Sequence, residues 1–354
     1  MKFQLFSLVG LVASLFFSAF AHASTSTGWL SSPQHPPVQV QLTLTGEQDP
    51  SNNTLAAILE IKLADDWKTY WRAPGEGGIA PSIDWQASTN VQQVTWFWPV
   101  PERFSTLGLE TLGYQEAVTF PLHIQLDQLD AATQLRGKFT LSSCTTVCVL
   151  TDYQLQLDFN ASQLGMDNQA MFLFDKAMAQ VPRTDNPSAQ LSQLTWQQDT
   201  QQLSFKVDGV SWSQPNAYII GDADTYFKLA KLETSDEQLT GLINVSGWLG
   251  DVDLAQQPLT LVIADADHAV ELTGVAQAGS IDLTAFSQNT SWLSMILFAL
   301  LGGLILNIMP CVLPVLGMKL STVLTANNQS QAQIRKQFIA SAAGIISSFW
   351  LLAA

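Results

Sequence analysis

The feature that most limits what this chain can become is an uninterrupted apolar run toward its C-terminal end. From Trp292 to Met318 roughly 27 positions pass without a charged residue. About 20 apolar residues suffice to cross a bilayer as a helix, and a backbone facing lipid must satisfy its own hydrogen bonds. Residues 292–318 are therefore expected to form a first transmembrane helix. Lys319, Arg335 and Lys336 follow with no acidic residue among them, and a second apolar run opens at Phe338 and continues to Ala354. Basic residues in a short connecting loop hold that loop on the cytoplasmic side. Residues 319–337 thus read as a cytoplasmic loop and 338–354 as the start of a second transmembrane helix. A chain organised this way reads as the front part of a longer membrane protein, with everything before Trp292 outside the cytoplasm.

The opposite end agrees with that topology. Met1-Lys2, an apolar run from Leu8 to Phe20 and then Ala21-His22-Ala23 have the order of a secretory signal peptide over residues 1–23. An uncleaved anchor helix is the alternative, although the run is short for a bilayer. The mature chain begins near Ser24 in a compartment where disulfides persist. The formal net charge of −15 argues against nucleic acid as a partner, because phosphate binding needs basic stripes. No glycine-rich phosphate loop or dinucleotide fingerprint follows a predicted strand.

Between the two apolar ends the pattern is mainly β. Residues 38–44, 55–63, 94–98, 117–126, 139–141 and 153–159 alternate or run apolar, and Gly, Pro, Asn and Asp clusters separate them. Short strands punctuated this way predict an immunoglobulin-like antiparallel β-sandwich over residues 24–160. From Leu164 to Val181 the apolar spacing becomes helical, with Met166, Met171, Leu173, Phe174, Ala177 and Met178 on one side. Thr184–Ser188 reads as a linker, so residues 161–190 form a helix and linker. Strand-like runs at 203–207, 217–220 and 259–263 then predict a second, smaller β-domain over 191–282.

The chain has three cysteines, so at most one pair can close within it. Cys144-Thr-Thr-Val-Cys148 is a C-x3-C. In one straight strand the two Cα atoms would lie about 13 Å apart at ~3.3 Å per residue, whereas a disulfide needs roughly 4.4–6.8 Å. The segment must bend, and strand-like sequence on both sides makes a hairpin the natural solution. A bridge across so small a loop constrains little chain entropy, about 2 kcal/mol or less. A working redox pair, a local staple and a metal-ligating pair all remain open from the spacing. No Lys, Arg or His lies between Lys138 and Asp152. Nothing nearby in sequence lowers a thiol pKa, which suits a reductant delivered to a docked partner better than a freely reactive thiolate.

The third cysteine, Cys311, sits in Asn307-Ile-Met-Pro-Cys-Val-Leu-Pro314. A lone cysteine in a membrane helix is ordinarily a small apolar residue. Here Pro310 and Pro314 each break the helical hydrogen-bond ladder, tolerated at membrane depth only where the freed groups are buried in protein or face a watery cavity.

These residues carry a resemblance. Leu300–Lys319, with its Asn307, Pro310, Cys311 and Pro314, resembles the start of the membrane domain of DsbD-type thiol:disulfide interchange proteins. Asp66-Trp-Lys-Thr-Tyr-Trp-Arg-Ala-Pro-Gly-Glu-Gly-Gly, Trp98-Pro-Val-Pro-Glu-Arg-Phe, Leu112-Gly-Tyr and Cys144-Thr-Thr-Val-Cys-Val resemble the exported part of the ScsB branch, linked to copper tolerance. The resemblance implies a protein-disulfide reductase of the bacterial inner membrane with a large periplasmic N-terminal region. Electrons would pass from cytoplasmic thioredoxin through the membrane domain to periplasmic thioredoxin-like partners, with copper tolerance or cytochrome c maturation as settings. It needs no cofactor beyond its cysteines and no metal. Cys311 matches the first membrane cysteine, and Cys144 and Cys148 match the exported exchange pair. The DsbD branch spaces that pair C-x5-C, so C-x3-C favours ScsB. The family's aromatic cap over the disulfide matches Glu102-Arg-Phe104, with Phe104 as the shield, although a core phenylalanine after a proline turn fits the same residues. Tyr70, Trp71, Trp96 and Trp98 read as packing residues. The rival from another class is a periplasmic Cu(I)-binding module held by the same two thiolates.

Overall fold

The computed structural model describes residues 25–106, 109–186, 188–266, 268–286, 296–302 and short stretches within 332–347. The chain divides into two units, Met1–Phe286 and Ser287–Ala354. In the second, residues 296–302 form a helical segment. No helix among the described residues is long and apolar enough to cross a membrane. Apart from residues 296–302 and isolated helical residues between 339 and 347, the expected spans lie outside the described residues, as do Asn307, Pro310, Cys311, Pro314 and the expected signal peptide.

The first unit is built from antiparallel sheets. Its N-terminal part contains β1 (Leu30–Ser32), β2 (His35–Asp49), β3 (Thr54–Leu63), β4 (Lys68–Gly75), β5 (Ser82–Asp84) and β6 (Val91–Trp96). It continues with β7 (Glu102–Thr106), β8 (Leu109–Gln115), β9 (Ala117–Leu126), β10 (Ala132–Cys144) and β11 (Cys148–Asn160). One sheet runs β1-β2-β3-β9-β6 and the other β11-β10-β4-β8-β7, with β5 also paired to β10. Alternation explains the packing. Val38, Val40, Leu42 and Leu44 from one sheet meet Leu135, Phe139, Leu141, Tyr153, Leu155 and Leu157 from the other in a single buried core. This is the antiparallel sandwich that the sequence pattern predicts.

A helix, α1 (Asn168–Met178), follows. It is shorter than the periodic stretch because Asp167 caps it, accepting from the backbone N–H groups of Gln169 and Ala170. Ala170 and Phe174 pack on Ala56 and Ile58, the side of β3 turned away from the main core.

The remaining strands are β12 (Gln190–Gln197), β13 (Gln202–Asp208), β14 (Asn216–Ile220), β15 (Thr225–Ser235), β16 (Gln238–Gly247), β17 (Pro258–Ala264), β18 (Ala269–Val275) and β19 (Gln277–Ala278). They form a sheet β15-β16-β13-β12-β19 and a smaller one β14-β17-β18. Trp196, Leu203, Phe205, Val207, Leu261 and Ile263 fill the core between them. The smaller sheet also reaches outward, for Tyr218 of β14 and Val262 of β17 belong to the core of the first sandwich. Trp71 of β4 lies edge-on to Tyr218 at 5.9 Å. The two β-domains therefore share buried surface.

Candidate functional site: the Cys144–Cys148 hairpin

The strands β10 and β11 pair in unbroken register from Ala132↔Asn160 to Cys144↔Cys148. The bend demanded by the C-x3-C spacing is thus a tight hairpin, and the two sulfurs are bonded. Along β10 the odd positions Leu135, Phe139 and Leu141 point into the core. The even positions therefore face outward, and near the open end of the hairpin they are polar, with Lys138 paired to Asp152 at 2.9 Å. At the tip the same outer face carries the disulfide.

An outward face is normally wet, yet Cys144 is only 1% exposed. The cover comes from distant strands. Lys68 of β4 stands directly opposite Cys144, so the two side chains share a face. Tyr70 lies two residues further along β4, again on that face. Its hydroxyl is 2.9 Å from Cys144 Sγ and 3.4 Å from Cys148 Sγ. Burial pushes the Tyr70 pKa up and the Lys68 pKa down. On the inner face Ser143 Oγ meets His35 Nε2 at 2.8 Å, and the His35 ring sits edge-on against Trp67. Thr69 Oγ1 donates to the Ser142 carbonyl at 2.8 Å. Burial lowers the His35 pKa as well.

The next strand out, β8, lies unusually close to β4. Gly113 opposes Tyr70, and a Cβ built on it would fall 1.9 Å from the Thr69 carbonyl oxygen. Only glycine permits this approach. Beyond β8 the edge strand β7 carries Glu102, Arg103 and Phe104. Glu102 is exposed, whereas Phe104 is partly buried with its ring 5.2 Å from Lys68 Nζ. An open cleft of about 770 Å³ separates Phe104 and Ser105 from Thr145 and Thr146 in the hairpin turn. Cys148, by contrast with Cys144, is exposed. Val147 and Leu150 beside it are 68% and 57% exposed.

Two features escaped the sequence reading. Tyr70 touches both sulfurs rather than merely packing, and a lysine does stand beside the pair although none is near it in sequence. Both come from residues 74 or more positions away, and the alternation of Lys68 and Tyr70 against Trp67, Thr69 and Trp71 was the available signal. Trp71 is core, and Trp96 and Trp98 stack on each other at 4.4 Å and meet Phe120 edge-on as packing residues. Among the described residues no group of three or more His, Cys, Asp or Glu is placed to hold a metal.

Residues 37–160 match the family described as thiol:disulfide interchange protein DsbD, N-terminal. Residues 180–279 match a domain of unknown function, DUF8393. Among solved structures, the N-terminal periplasmic domain of ScsB from Proteus mirabilis is 31% identical with a TM-score of 0.61, the alignment covering 73% of this chain and 100% of that one. A chimeric titin Z1Z2 functionalised with a decorin peptide aligns over 68% of this chain and 97% of its own at 9% identity, and its TM-score of 0.17 carries no argument. No curated protein matches the sequence.

Proposed function

Because the chain belongs to the DsbD/ScsB family of thiol:disulfide interchange proteins and carries their N-terminal portion, we propose that Cys144 and Cys148 exchange electrons with a periplasmic thioredoxin-like partner. The observation that carries this reading is the asymmetry of the pair. Cys148 is open to solvent between two exposed apolar side chains, while Cys144 is buried against the Tyr70 hydroxyl. An incoming protein can reach one sulfur and not the other.

In the reductive direction the Cys148 thiolate attacks one sulfur of the partner's disulfide. That bond breaks, its leaving thiolate takes up a proton, and a mixed disulfide forms. Cys144 then loses its proton and attacks Cys148 Sγ, and the partner departs with its second thiol protonated. Two electrons and two protons have moved to the partner, and the Cys144–Cys148 bond remains. Tyr70 is placed to donate a hydrogen bond to a developing thiolate at either sulfur. Phe104, whose ring lies by Lys68 opposite Cys144, shields the buried side of the pair and leaves Cys148 open, with Glu102 at the solvent side of the same strand.

Re-reduction falls to Cys311 together with a second membrane cysteine, fed by cytoplasmic thioredoxin across the inner membrane. Asn307, Pro310 and Pro314 would hold Cys311 at a break in the helix. Copper tolerance is the setting favoured by the ScsB likeness, with cytochrome c maturation as the other. Two experiments test the scheme. Cys144→Ser, which keeps Cys148, should accumulate a mixed disulfide with the partner, and Cys148→Ser should not; the reverse pattern would overturn the assignment of the attacking thiol. Cys311→Ala should leave the Cys144–Cys148 pair oxidised in cells, and an equally reduced pair would sink the relay.

A further inference from the structure

The strand that carries Phe104 has little to hold it in place by itself. It is an edge strand of five residues, paired only to β8 in its sheet. A short edge strand held by a single neighbour opens locally more readily than the strands inside a sheet. The run leading into it, Pro99-Val100-Pro101, adds a difficulty, because neither proline has an N–H to donate. Anchorage there depends on carbonyl acceptors and on Val100.

The Pro99 and Pro101 carbonyls and the Val100 N–H are engaged, and the second β-domain supplies the last tie before the cap. Tyr114 donates its hydroxyl to the Pro99 carbonyl at 2.7 Å, and the Val100 N–H donates to the Gln180 carbonyl at 3.0 Å. Tyr218 of β14 donates its hydroxyl to the Pro101 carbonyl at 2.9 Å. Arg103, one residue before Phe104, donates from Nη2 to the Ala217 carbonyl at 2.9 Å. Its guanidinium stands 5.2 Å from the Tyr218 ring centroid and pairs with Glu110 across the β7–β8 ribbon. Neighbours in a strand project to opposite sides. Arg103 is thus held by the second domain while Phe104 is turned over Lys68. Tyr218 is itself buried in the first domain's core, so this contact is a built part of the fold.

We propose that the second β-domain, whose family match is a domain of unknown function, positions the cap strand over the buried side of the disulfide, next to Lys68 and Cys144, and that Arg103 and Tyr218 are the positioning residues through which it acts. The proposal rests on the reading of Cys144–Cys148 as an exchange pair. Loosening this clamp should free Phe104 to move and open the buried Cys144 side of the bond to reagent more often, while leaving the sulfurs and Tyr70 untouched.

The test is the rate at which dithiothreitol reduces the Cys144–Cys148 bond in the full chain, followed by mass-tagging the released thiols. Tyr218→Phe deletes one hydroxyl, and Arg103→Gln removes the guanidinium. Each should be reduced about 2- to 10-fold faster than wild type, the range set by a hydrogen bond's net worth. Glu271→Gln weakens a contact between the domains away from the cap, the Arg72–Glu271 ion pair, and should leave the rate at the wild-type value. Unchanged rates in both clamp variants would overturn the proposal. So would equal acceleration in Glu271→Gln, which would mean general loosening of the domains. A wild-type bond that resists dithiothreitol altogether would overturn the exchange reading, whereas a reducible wild type with indifferent clamp variants overturns this proposal alone.

Discussion

The tip of the β10–β11 hairpin and the loop between β16 and β17 both leave large apolar side chains in solvent. At the first these are Val147 and Leu150, and at the second Trp248 and Leu249, which are 71% and 91% exposed. Their surroundings differ. The second loop is held by backbone contacts, with Gly247 bridged to Gly250 and the Trp248 N–H donating to the Asp224 carbonyl at 3.0 Å. Beneath the first lie the disulfide and, delivered to it by β4 and β2, a tyrosine hydroxyl, a buried lysine and a histidine in contact with Ser143. An exposed apolar tip becomes a candidate for chemistry when strands far away in sequence place polar groups under it. The lesson also divides the two β-domains. The first holds the reactive pair, and the second contributes structure to it.

The largest expected effect strikes at that division of labour. Trp71 is fully buried and meets Tyr218 edge-on where the two cores join. Trp71→Ala should cost roughly 3–5 kcal/mol, as for other large-to-small core changes. Because Tyr218 and Val262 belong to the first domain's core, both β-domains should lose stability together in one denaturant transition. Two transitions, with the second domain's left at its original midpoint, would show that the domains are independent and that the shared core is a bystander.

How much of this was legible beforehand follows the same line. Strand positions and the hairpin were readable because alternation and the C-x3-C distance are local properties. The helix was foreseen in place but too long, since Leu164 and Met166 continue the apolar spacing although Asp167 starts the helix proper. The site was half readable. Its cysteines are announced by spacing, but Tyr70, Lys68 and His35 reach them through strand pairing, and register between β4 and β10 is not written in either segment alone. Arg103 and Tyr218 were invisible for the same reason, being brought together across 115 residues. The cation beside the cysteines, Lys68, is their neighbour across the sheet and not along the chain.

A smaller effect sharpens the role of the buried hydroxyl. Tyr70→Phe removes the group lying 2.9 Å from Cys144 Sγ while keeping the ring. Stability should fall by about 0.5–1.5 kcal/mol, the usual net worth of one hydrogen bond. Exchange with a thioredoxin-like protein should slow about 3- to 10-fold, because a thiolate leaving Cys144 loses its donor. The pH dependence has a definite sign. Burial raises the Tyr70 pKa above that of an unfolded tyrosine, so its proton and its contribution are fully present below about pH 10 and are lost as pH climbs further. The ratio of wild-type to variant rates should therefore stay level from about pH 6 to 9. A ratio that changes across that window would assign the effect to a titrating neighbour instead.

The smallest effects return to the two tips. Serine at Trp248 or Leu249 removes exposed surface with few packing partners, so stability should move by less than about 0.5 kcal/mol, and exchange at the disulfide should not change. Serine at Val147 or Leu150 should be equally mild for stability, yet there the consequence differs. Those side chains flank Cys148, and apolar surface around a reactive sulfur contributes to holding a protein partner rather than a small thiol. The variants should thus be reduced by dithiothreitol at the wild-type rate while the KM for a thioredoxin-like protein rises about 2- to 5-fold, as expected for truncating one modest interface contact. A parallel loss with both reagents would mean that the hairpin itself had shifted. A loss at Trp248 as large as at Val147 would erase the distinction between the tips and place the docking face on the second domain.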